Sequence, residues 1–225
     1  MFILYQTASL YLLYSDYEAT LDDRIRWIMA SGADGVELSN GPTGILAWQP
    51  APDVVQWLRC AVVTVHAELD YRQGCTLERL AAKLSQLPFT IYNITFHPDE
   101  LRSADWSKLA RLPWPVSIEN MDATRTNWRS VSELQLPHGV GLTLDLAHAA
   151  ECNLSVEHFR PLFVPNVVHA SAPTAWYHHT PYCLAPWQPI EVPSGSPIMV
   201  LEGTVLAMPT IADEIGYVAN HIQWI

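Results

Sequence analysis

The sequence predicts a (β/α)8 TIM barrel, and two observations carry this prediction. Eight short apolar segments that read as β-strands alternate with helical segments along the 225 residues, which favours a closed parallel barrel. No G-x-G-x-x-G turn follows the first strand, and this absence disfavours the main alternative, an open doubly wound sheet. No linker or internal repeat divides the chain, so we expect residues 1–225 to form a single domain.

Each predicted strand is short and is apolar on at least one face. The predicted strands are residues 2–8, 35–39, 61–68, 90–97, 116–120, 140–148, 166–171 and 197–202. On the sixth strand Leu142, Leu144 and Leu146 share one face, while Thr143 and Asp145 share the other. We expect the leucine face to pack against helices and the other face to point into the barrel.

Helices are predicted between the strands because apolar residues recur there at helical spacing. Thr20 can cap the first helix, which ends at Gly32. The later helices are predicted near residues 54–60, 76–87, 99–112, 126–136, 155–163 and 211–222. Residues 172–196 contain five prolines and no helical period, so we expect the helix after the seventh strand to be irregular or missing.

The composition, about half apolar and 16% charged, indicates a globular protein and not a disordered one. The formal net charge of −11 and the presence of only two lysines disfavour binding to nucleic acid. No apolar run is long enough to span a bilayer, and the N-terminus has no basic segment typical of a signal peptide. Four scattered cysteines without a C-x-x-C spacing favour a reducing compartment, so we predict a cytoplasmic location.

Ionisable side chains stand at the ends of six predicted strands, where a barrel places its active site. They are His66, His97, Glu119, Asp145, His169 and Glu202. The sixth strand is predicted to continue past Asp145, so that His148 emerges beside it. Alternation along the third, fourth, fifth and eighth strands makes the candidate on each of them the last residue that points inward. We therefore expect these side chains to converge at one mouth of the barrel.

The carboxylates of this ring need a positive partner. Burying Glu119, Asp145 and Glu202 together is very costly unless a counter-charge compensates them. The two lysines read as helix positions, and only Arg72 and Arg125 follow strand ends. A lone histidine or glutamate at a strand end is more often a hydrogen-bonded core residue, but that interpretation does not explain the complete ring. The pattern predicts a divalent metal site.

Glu119, the Asp145-x-x-His148 step, His169 and Glu202 together resemble the xylose isomerase-like barrel superfamily. This superfamily includes metal-dependent sugar isomerases and epimerases, and also barrel-type apurinic-site endonucleases. The resemblance covers essentially the whole chain in strand order, and the Asp-x-x-His step is its most specific part. The Asp-Gly-Val-Glu-Leu segment around Glu37 is typical of the group.

The epimerase branch implies one divalent ion, of the Mn²⁺ or Co²⁺ type, held by Glu119, Asp145, His169 and Glu202. The two glutamates would take and return the α-proton of a small sugar-like substrate. His148 would orient a substrate oxygen, and His66 and His97 would complete the polar wall of the site. The remaining substrate-binding candidates are Glu37, Arg125 and Trp176. The branch usually has an acidic residue at the position of Arg125, so the chain departs from its pattern there.

The endonuclease branch is the alternative, and it implies a cluster of three zinc ions. His66 and His97 match the histidines of its first metal, with Glu119 bridging, and His148 matches its third. That third metal also requires Asp-x-His after the seventh strand, where this chain has Tyr177-His178-His179. We therefore expect one ion, with two as the alternative and His179 as a further candidate ligand or substrate contact. A non-catalytic, metal-stabilised barrel is the third hypothesis, and exposed loop aromatics are compatible with a homo-oligomer.

Overall fold

A closed barrel of parallel strands forms the centre of the chain. The computed structural model describes residues 1–10, 19–39, 44–124, 128, 133, 135–159, 164–174, 177–184, 189–203 and 209–225. Its strands are β1 (Phe2–Gln6), β2 (Gly35–Ser39), β3 (Val62–Ala67), β4 (Asn93–Phe96), β5 (Val116–Glu119), β6 (Gly141–Asp145), β7 (Val167–Ala170), β8 (Ala172–Thr174), β9 (Tyr177–Thr180), β10 (Ile190–Val192), β11 (Ile198–Leu201) and β12 (Ile222–Trp224).

Strands β1 to β7 pair in chain order, and β11 closes the barrel between β7 and β1. Every pairing in the barrel is parallel, which confirms the predicted (β/α)8 arrangement. β2 fits closely against β3, since a Cβ on Gly35 would lie 1.8 Å from the carbonyl oxygen of Val62. A glycine is therefore required here, two residues before Glu37.

The helices lie between the strands and pack on the outside of the barrel. They are α1 (Leu21–Ala30), α2 (Pro52–Leu58), α3 (Leu77–Leu84), α4 (Ser103–Leu109), α5 (Leu146–Glu151), α6 (Val156–Phe159) and α7 (Pro209–His221). Thr20 caps α1 as predicted, because its hydroxyl accepts a hydrogen bond from Asp23 N at 3.2 Å. Most of the predicted helix at 126–136 falls outside the described residues, which include only positions 128, 133, 135 and 136 of it.

Several predicted elements have different bounds in the structure, and for two of them the local cause is plain. The sixth strand ends at Asp145, not at His148, because Asp145 is the N-cap of α5 and its carboxylate accepts a hydrogen bond from His148 N at 2.7 Å. The helix predicted at 99–112 is shorter, since a 3₁₀ turn at Pro98–Glu100 precedes α4. In both places a polar side chain or proline sets the start of the helix.

The segment between β7 and β11 has strands where a barrel ordinarily has a helix. β8 and β9 form a small antiparallel sheet, and β10 pairs in parallel with the C-terminal strand β12. No helix occurs in the described parts of residues 172–196, which confirms the predicted irregularity. None of the helices described has the length and hydropathy that a membrane span requires. None of the four cysteines forms a disulfide bond.

The barrel interior has an apolar part and a polar part. Leu4, Val62, Val167, Ile198 and Val200 form a small cluster of buried apolar side chains. The other part consists of hydrogen-bonded hydroxyl and amide groups on β4, β5 and β6, namely those of Asn93, Thr95, Ser117 and Thr143. These residues fill the barrel below its C-terminal mouth and support the strand ends that carry the ionisable side chains.

Candidate metal centre

Four of the predicted residues, Glu119, Asp145, His169 and Glu202, converge at the C-terminal mouth of the barrel; we call them the four-residue group. One possible ligand atom from each lies within 4.8 Å of the others. Each side chain is at most 4 % exposed. Glu119 and Asp145 end their strands, His169 lies within β7, and Glu202 follows β11 directly. Adjacent parallel strands thus deliver these ligands to one point.

The imidazole of His169 stands among three carboxylates. Its Nδ1 lies 3.1 Å from Glu119 Oε1 and 3.1 Å from Glu202 Oε1. Its Nε2 faces the other way and lies 3.1 Å from Glu37 Oε1. The ring is completely buried, so its two nitrogens have distinct and fixed surroundings.

Asp145 has one carboxylate oxygen without a hydrogen-bond partner. Its Oδ1 accepts the hydrogen bond from His148 N, whereas Oδ2 is buried and has no such partner within the described part of the chain. A buried carboxylate oxygen in this condition is costly unless a cation or a donor reaches it. Asp145 Oδ2 is therefore available to coordinate a metal ion.

A second set of ligand atoms shares Glu119 with the first; His66 and His97 are its histidine pair. His66 Nε2 lies 3.0 Å and His97 Nε2 3.1 Å from Glu119 Oε2. Ligand atoms of these three residues also lie within 4.8 Å of one another. Glu119 therefore faces the histidine pair with one oxygen and His169 with the other.

His148 lies beside the four-residue group, in the first turn of α5. Its Nδ1 donates a hydrogen bond to the backbone carbonyl of Asn120 at 2.9 Å. The side chain of Asn120 also bonds the backbone of Asp145 twice, through N at 2.8 Å and through O at 3.1 Å. Asn120 therefore fixes both members of the Asp-x-x-His step.

Of the other predicted site residues, two lie at the edge of the four-residue group and two lie outside the described residues. His179 lies in β9, with Nδ1 3.6 Å from Glu202 Oε2 and its ring 6.5 Å from that of His148. Glu37 is completely buried behind His169 and is not at an open surface where a substrate would bind. Arg125 and Trp176 lie outside the described residues.

The sequence analysis missed two residues that hold the site. Gln6 Nε2 donates hydrogen bonds to Glu202 and, at 3.3 Å, to Glu37 Oε1. Its position was readable from alternation, because Gln6 is the last residue of β1 on the face of Leu4. Glu100 follows the fourth strand, and its Oε1 lies 3.2 Å from His97 Nδ1. Only its acidic character close to a strand end could have suggested it.

The surroundings of Glu119 favour its ionised form. Burial raises the pKa of this carboxyl, but the charge of His169 and hydrogen bonds from His169, His66 and His97 lower it well below its ordinary value. Three imidazoles therefore act together on one carboxylate.

The surroundings of Glu202 have the opposite effect. Burial, together with the charges of Glu119, Asp145 and Glu37, raises the pKa of Glu202 well above its ordinary value, although His169 opposes the shift. Burial alone would lower the pKa of His169, but Glu202, Glu37 and Glu119 raise it well above its ordinary value. Within the site, two glutamates thus have pKa values shifted in opposite directions.

The donor set fits a divalent metal ion. The ion-pair contacts of Glu119 and Glu202 within the described chain are all to histidines, so no lysine or arginine there compensates these carboxylates. Carboxylate oxygens combined with one imidazole are ligands that Mn²⁺, Co²⁺ and Zn²⁺ accept. The buried residues at this mouth could therefore hold a metal ion.

Comparison with solved structures shows the same fold. The chain is similar to a D-tagatose 3-epimerase-like protein, with a TM-score of 0.61, 15% sequence identity and 98% of each chain covered. It is also similar to the TTHB071 protein from Thermus thermophilus, soaked with ZnCl₂, with a TM-score of 0.57, 15% identity, and coverage of 98% of this chain and 99% of the other. No protein-family model and no curated protein matches the sequence. At this level of identity the two likenesses show the fold alone, and they confirm the predicted TIM barrel.

Proposed function

We propose that this protein is a divalent-metal-dependent isomerase or epimerase that acts on a small sugar-like substrate. The observation that carries the proposal is the four-residue group, in which three carboxylates and one imidazole are buried within reach of a single ion. Glu119, Asp145, His169 and Glu202 are the ligands that we assign. The name of the D-tagatose 3-epimerase-like neighbour supports a sugar-like substrate.

The chemistry follows from the kind of ion and from the residues around it. A divalent ion held here would polarise the carbonyl and hydroxyl oxygens of a ketose and stabilise the enediolate that forms when the α-proton leaves. Glu119 and Glu202 are the residues that we assign to take that proton and to return it. His148 has its Nδ1 committed to Asn120 and would orient a substrate oxygen from the side of α5.

A deuterium-exchange experiment tests these roles. Wild-type protein loaded with Mn²⁺, Co²⁺ or Zn²⁺ is incubated with D-tagatose or D-fructose in D₂O, and α-deuterium is measured by mass spectrometry. We expect exchange in the wild type and its loss in Glu202→Gln, which should still bind the sugar. Asp105→Asn changes a buried carboxylate on α4, outside the site, and serves as the control.

Each outcome of the exchange experiment has a definite meaning. Exchange at the wild-type rate in Glu202→Gln would reject its acid–base role. Metal-loaded wild-type protein that exchanges no α-proton in any ketose tested would reject the isomerase proposal and favour a non-catalytic barrel. Elemental analysis of the purified protein should find about one ion per chain.

A zinc phosphoesterase is the second candidate, and the histidine pair favours it. His66 and His97 share Glu119 with the four-residue group, so two ions could be bridged by one carboxylate. The net charge of −11 opposes binding to a DNA backbone. We therefore expect no incision of a duplex with an abasic site in the presence of Zn²⁺. Two zinc ions per chain together with robust incision would replace the isomerase by this function.

The wider setting follows from composition and remains a prediction. The scattered cysteines, none of which is in a disulfide bond, favour a reducing cytoplasmic compartment. A single domain over residues 1–225 and a homo-oligomer are likewise expectations, which limited proteolysis and light scattering would check.

A further inference from the structure

Glu37 is a buried carboxylate at the site that belongs to none of the ligand sets. Its side chain is 0 % exposed, and the possible ligand sets among the described residues do not include it. Its Oε2 accepts a hydrogen bond from Thr64 Oγ1 at 2.9 Å, and Gln6 Nε2 lies 3.3 Å from its Oε1. Neighbouring strands on both sides therefore fix this carboxylate behind His169.

The two nitrogens of His169 face different partners, and this difference decides which nitrogen can bind an ion. Nδ1 faces Glu119 and Glu202, whereas Nε2 faces Glu37 Oε1 at 3.1 Å. A neutral imidazole has one N–H donor and one acceptor nitrogen, and an ionised carboxylate only accepts. Without an ion, Nδ1 can itself donate to Glu119 Oε1 at 3.1 Å. With an ion held by Glu119 and Glu202, Nδ1 would offer that ion its lone pair, and the proton would then stay on Nε2, next to Glu37.

The contact between His169 Nε2 and Glu37 is short enough for a hydrogen bond but is not well aligned for one. His169 Nε2 has no hydrogen bond of good geometry to any described residue. Glu37 Oε1, at 3.1 Å, is the acceptor that an N–H on Nε2 would meet. Carboxylates that accept the second N–H of a ligating histidine orient its ring and make the ligating nitrogen more basic.

We propose that Glu37 is a positioning residue, which holds His169 in the tautomer and orientation that present Nδ1 to the metal ion. This inference rests on the metal site of the proposed function and gives Glu37 a role other than direct contact with substrate. Loss of such a residue typically weakens metal binding by about 10- to 100-fold. Gln6 and Thr64 act one step further out, because they hold Glu37.

The experiment measures Zn²⁺ and Mn²⁺ affinity by competition with a chelator, so it does not depend on any substrate. Glu37→Leu keeps a similar volume but has no acceptor, and we expect about 10- to 100-fold weaker binding. Glu37→Gln retains an acceptor oxygen, which can turn toward His169 while its amide donates to Thr64, and it should recover most of the lost affinity. Asp105→Asn is the matched control, because Asp105 is also a buried carboxylate but bonds Tyr71 and Arg102 outside the barrel.

A second readout reports the tautomer directly. In zinc-loaded wild-type protein labelled with ¹⁵N-histidine, His169 should show zinc on Nδ1 and a proton on Nε2. Zinc on Nε2 would overturn the inference, even where Glu37→Leu fails to fold. Folded Glu37→Leu with wild-type affinity would overturn it as well.

The two proposals fail in different ways. Wild-type protein that binds neither Zn²⁺ nor Mn²⁺ would refute the proposed function, and the role of Glu37 with it. Wild-type protein that binds an ion while Glu37→Leu binds it equally well would refute the role of Glu37 alone.

Discussion

The four-residue group and the histidine pair stand at the same mouth and share Glu119, yet they differ in charge and burial. The four-residue group has three carboxylates, one imidazole and almost no exposure. The pair offers two imidazoles, and the side chain of His97 is 19% exposed. His66 and His97 already contact the shared carboxylate at 3.0 and 3.1 Å.

This difference indicates how much each set would be stabilised by binding an ion. Carboxylates gathered in a buried place repel one another and are stabilised by a divalent cation. The two imidazoles of the histidine pair already lie within hydrogen-bond distance of Glu119 Oε2, so this oxygen needs no further cation. We therefore expect tight binding of one ion in the four-residue group, and weaker binding of any second ion at the histidine pair.

The largest effect should come from the carboxylate that both sets share. Glu119→Gln removes a charge from each, so metal affinity should fall by at least about 100-fold, beyond the usual loss for a residue that only orients a ligand. Isothermal titration with Mn²⁺ and Zn²⁺ would measure it. Retention of wild-type affinity would show that the ion binds elsewhere.

Removal of metal should lower the thermal stability next. An ion present at about 1,000 times its dissociation constant stabilises the folded state by about 4 kcal/mol, which corresponds to about 8–16 °C in Tm for a chain of this size. Scanning calorimetry with and without a chelator would measure the shift. Asp145→Asn, which weakens the four-residue group, should abolish most of this shift; an equal shift in that variant would contradict the ligand assignment.

A smaller change is expected from the polar interior beneath both sets. Thr143→Val removes a hydroxyl that lies 2.6 Å from Ser117 Oγ and 2.9 Å from Thr95 Oγ1. The unsatisfied partners should lower the free energy of unfolding by about 1–3 kcal/mol. Urea unfolding would measure it, and the metal affinity should remain that of the wild type. A large loss of metal binding would mean that the hydroxyls also shape the mouth.

The smallest effect should be that of His97→Asn on the tightly bound ion. His97 lies outside the four-residue group, so the affinity of that ion should change by less than about threefold, or about 0.7 kcal/mol. Any second, weaker zinc ion should be lost, which a zinc titration would detect. A loss of the first ion in this variant would remove the distinction between the two sets.

Alternation along the strands made much of the site predictable. In a parallel barrel the last inward residues of adjacent strands must meet, and so Glu119, Asp145 and His169 could be placed together from the sequence. The tautomer-setting contact of Glu37 was not predictable, because it depends on which way the ring of His169 turns. The Asp-Gly-Val-Glu-Leu segment marked Glu37 as a candidate site residue, but it did not reveal how Glu37 acts.

The departures occurred where local chemistry overrides alternation. Asp145 ends β6 by capping a helix, so His148 projects from α5 and not from a strand. An N-cap aspartate before Leu-Ala-His-Ala is itself a helix-start signal, and its second function as a candidate ligand obscured it. The β8–β9 pair between β7 and β11 could not be predicted, because this proline-rich segment has no regular spacing of apolar residues.

The bond between His148 and the carbonyl of Asn120 makes the imidazole chemically one-sided. A peptide oxygen has no hydrogen to give, so Nδ1 must retain its own, whether the ring is neutral or cationic. Only Nε2 is then able to gain or release a proton, and the ring cannot exchange its ends without breaking that link. Any ligand that approaches His148 therefore contacts one reactive nitrogen, Nε2, whose orientation is fixed by the hydrogen bond from Nδ1 to the main chain.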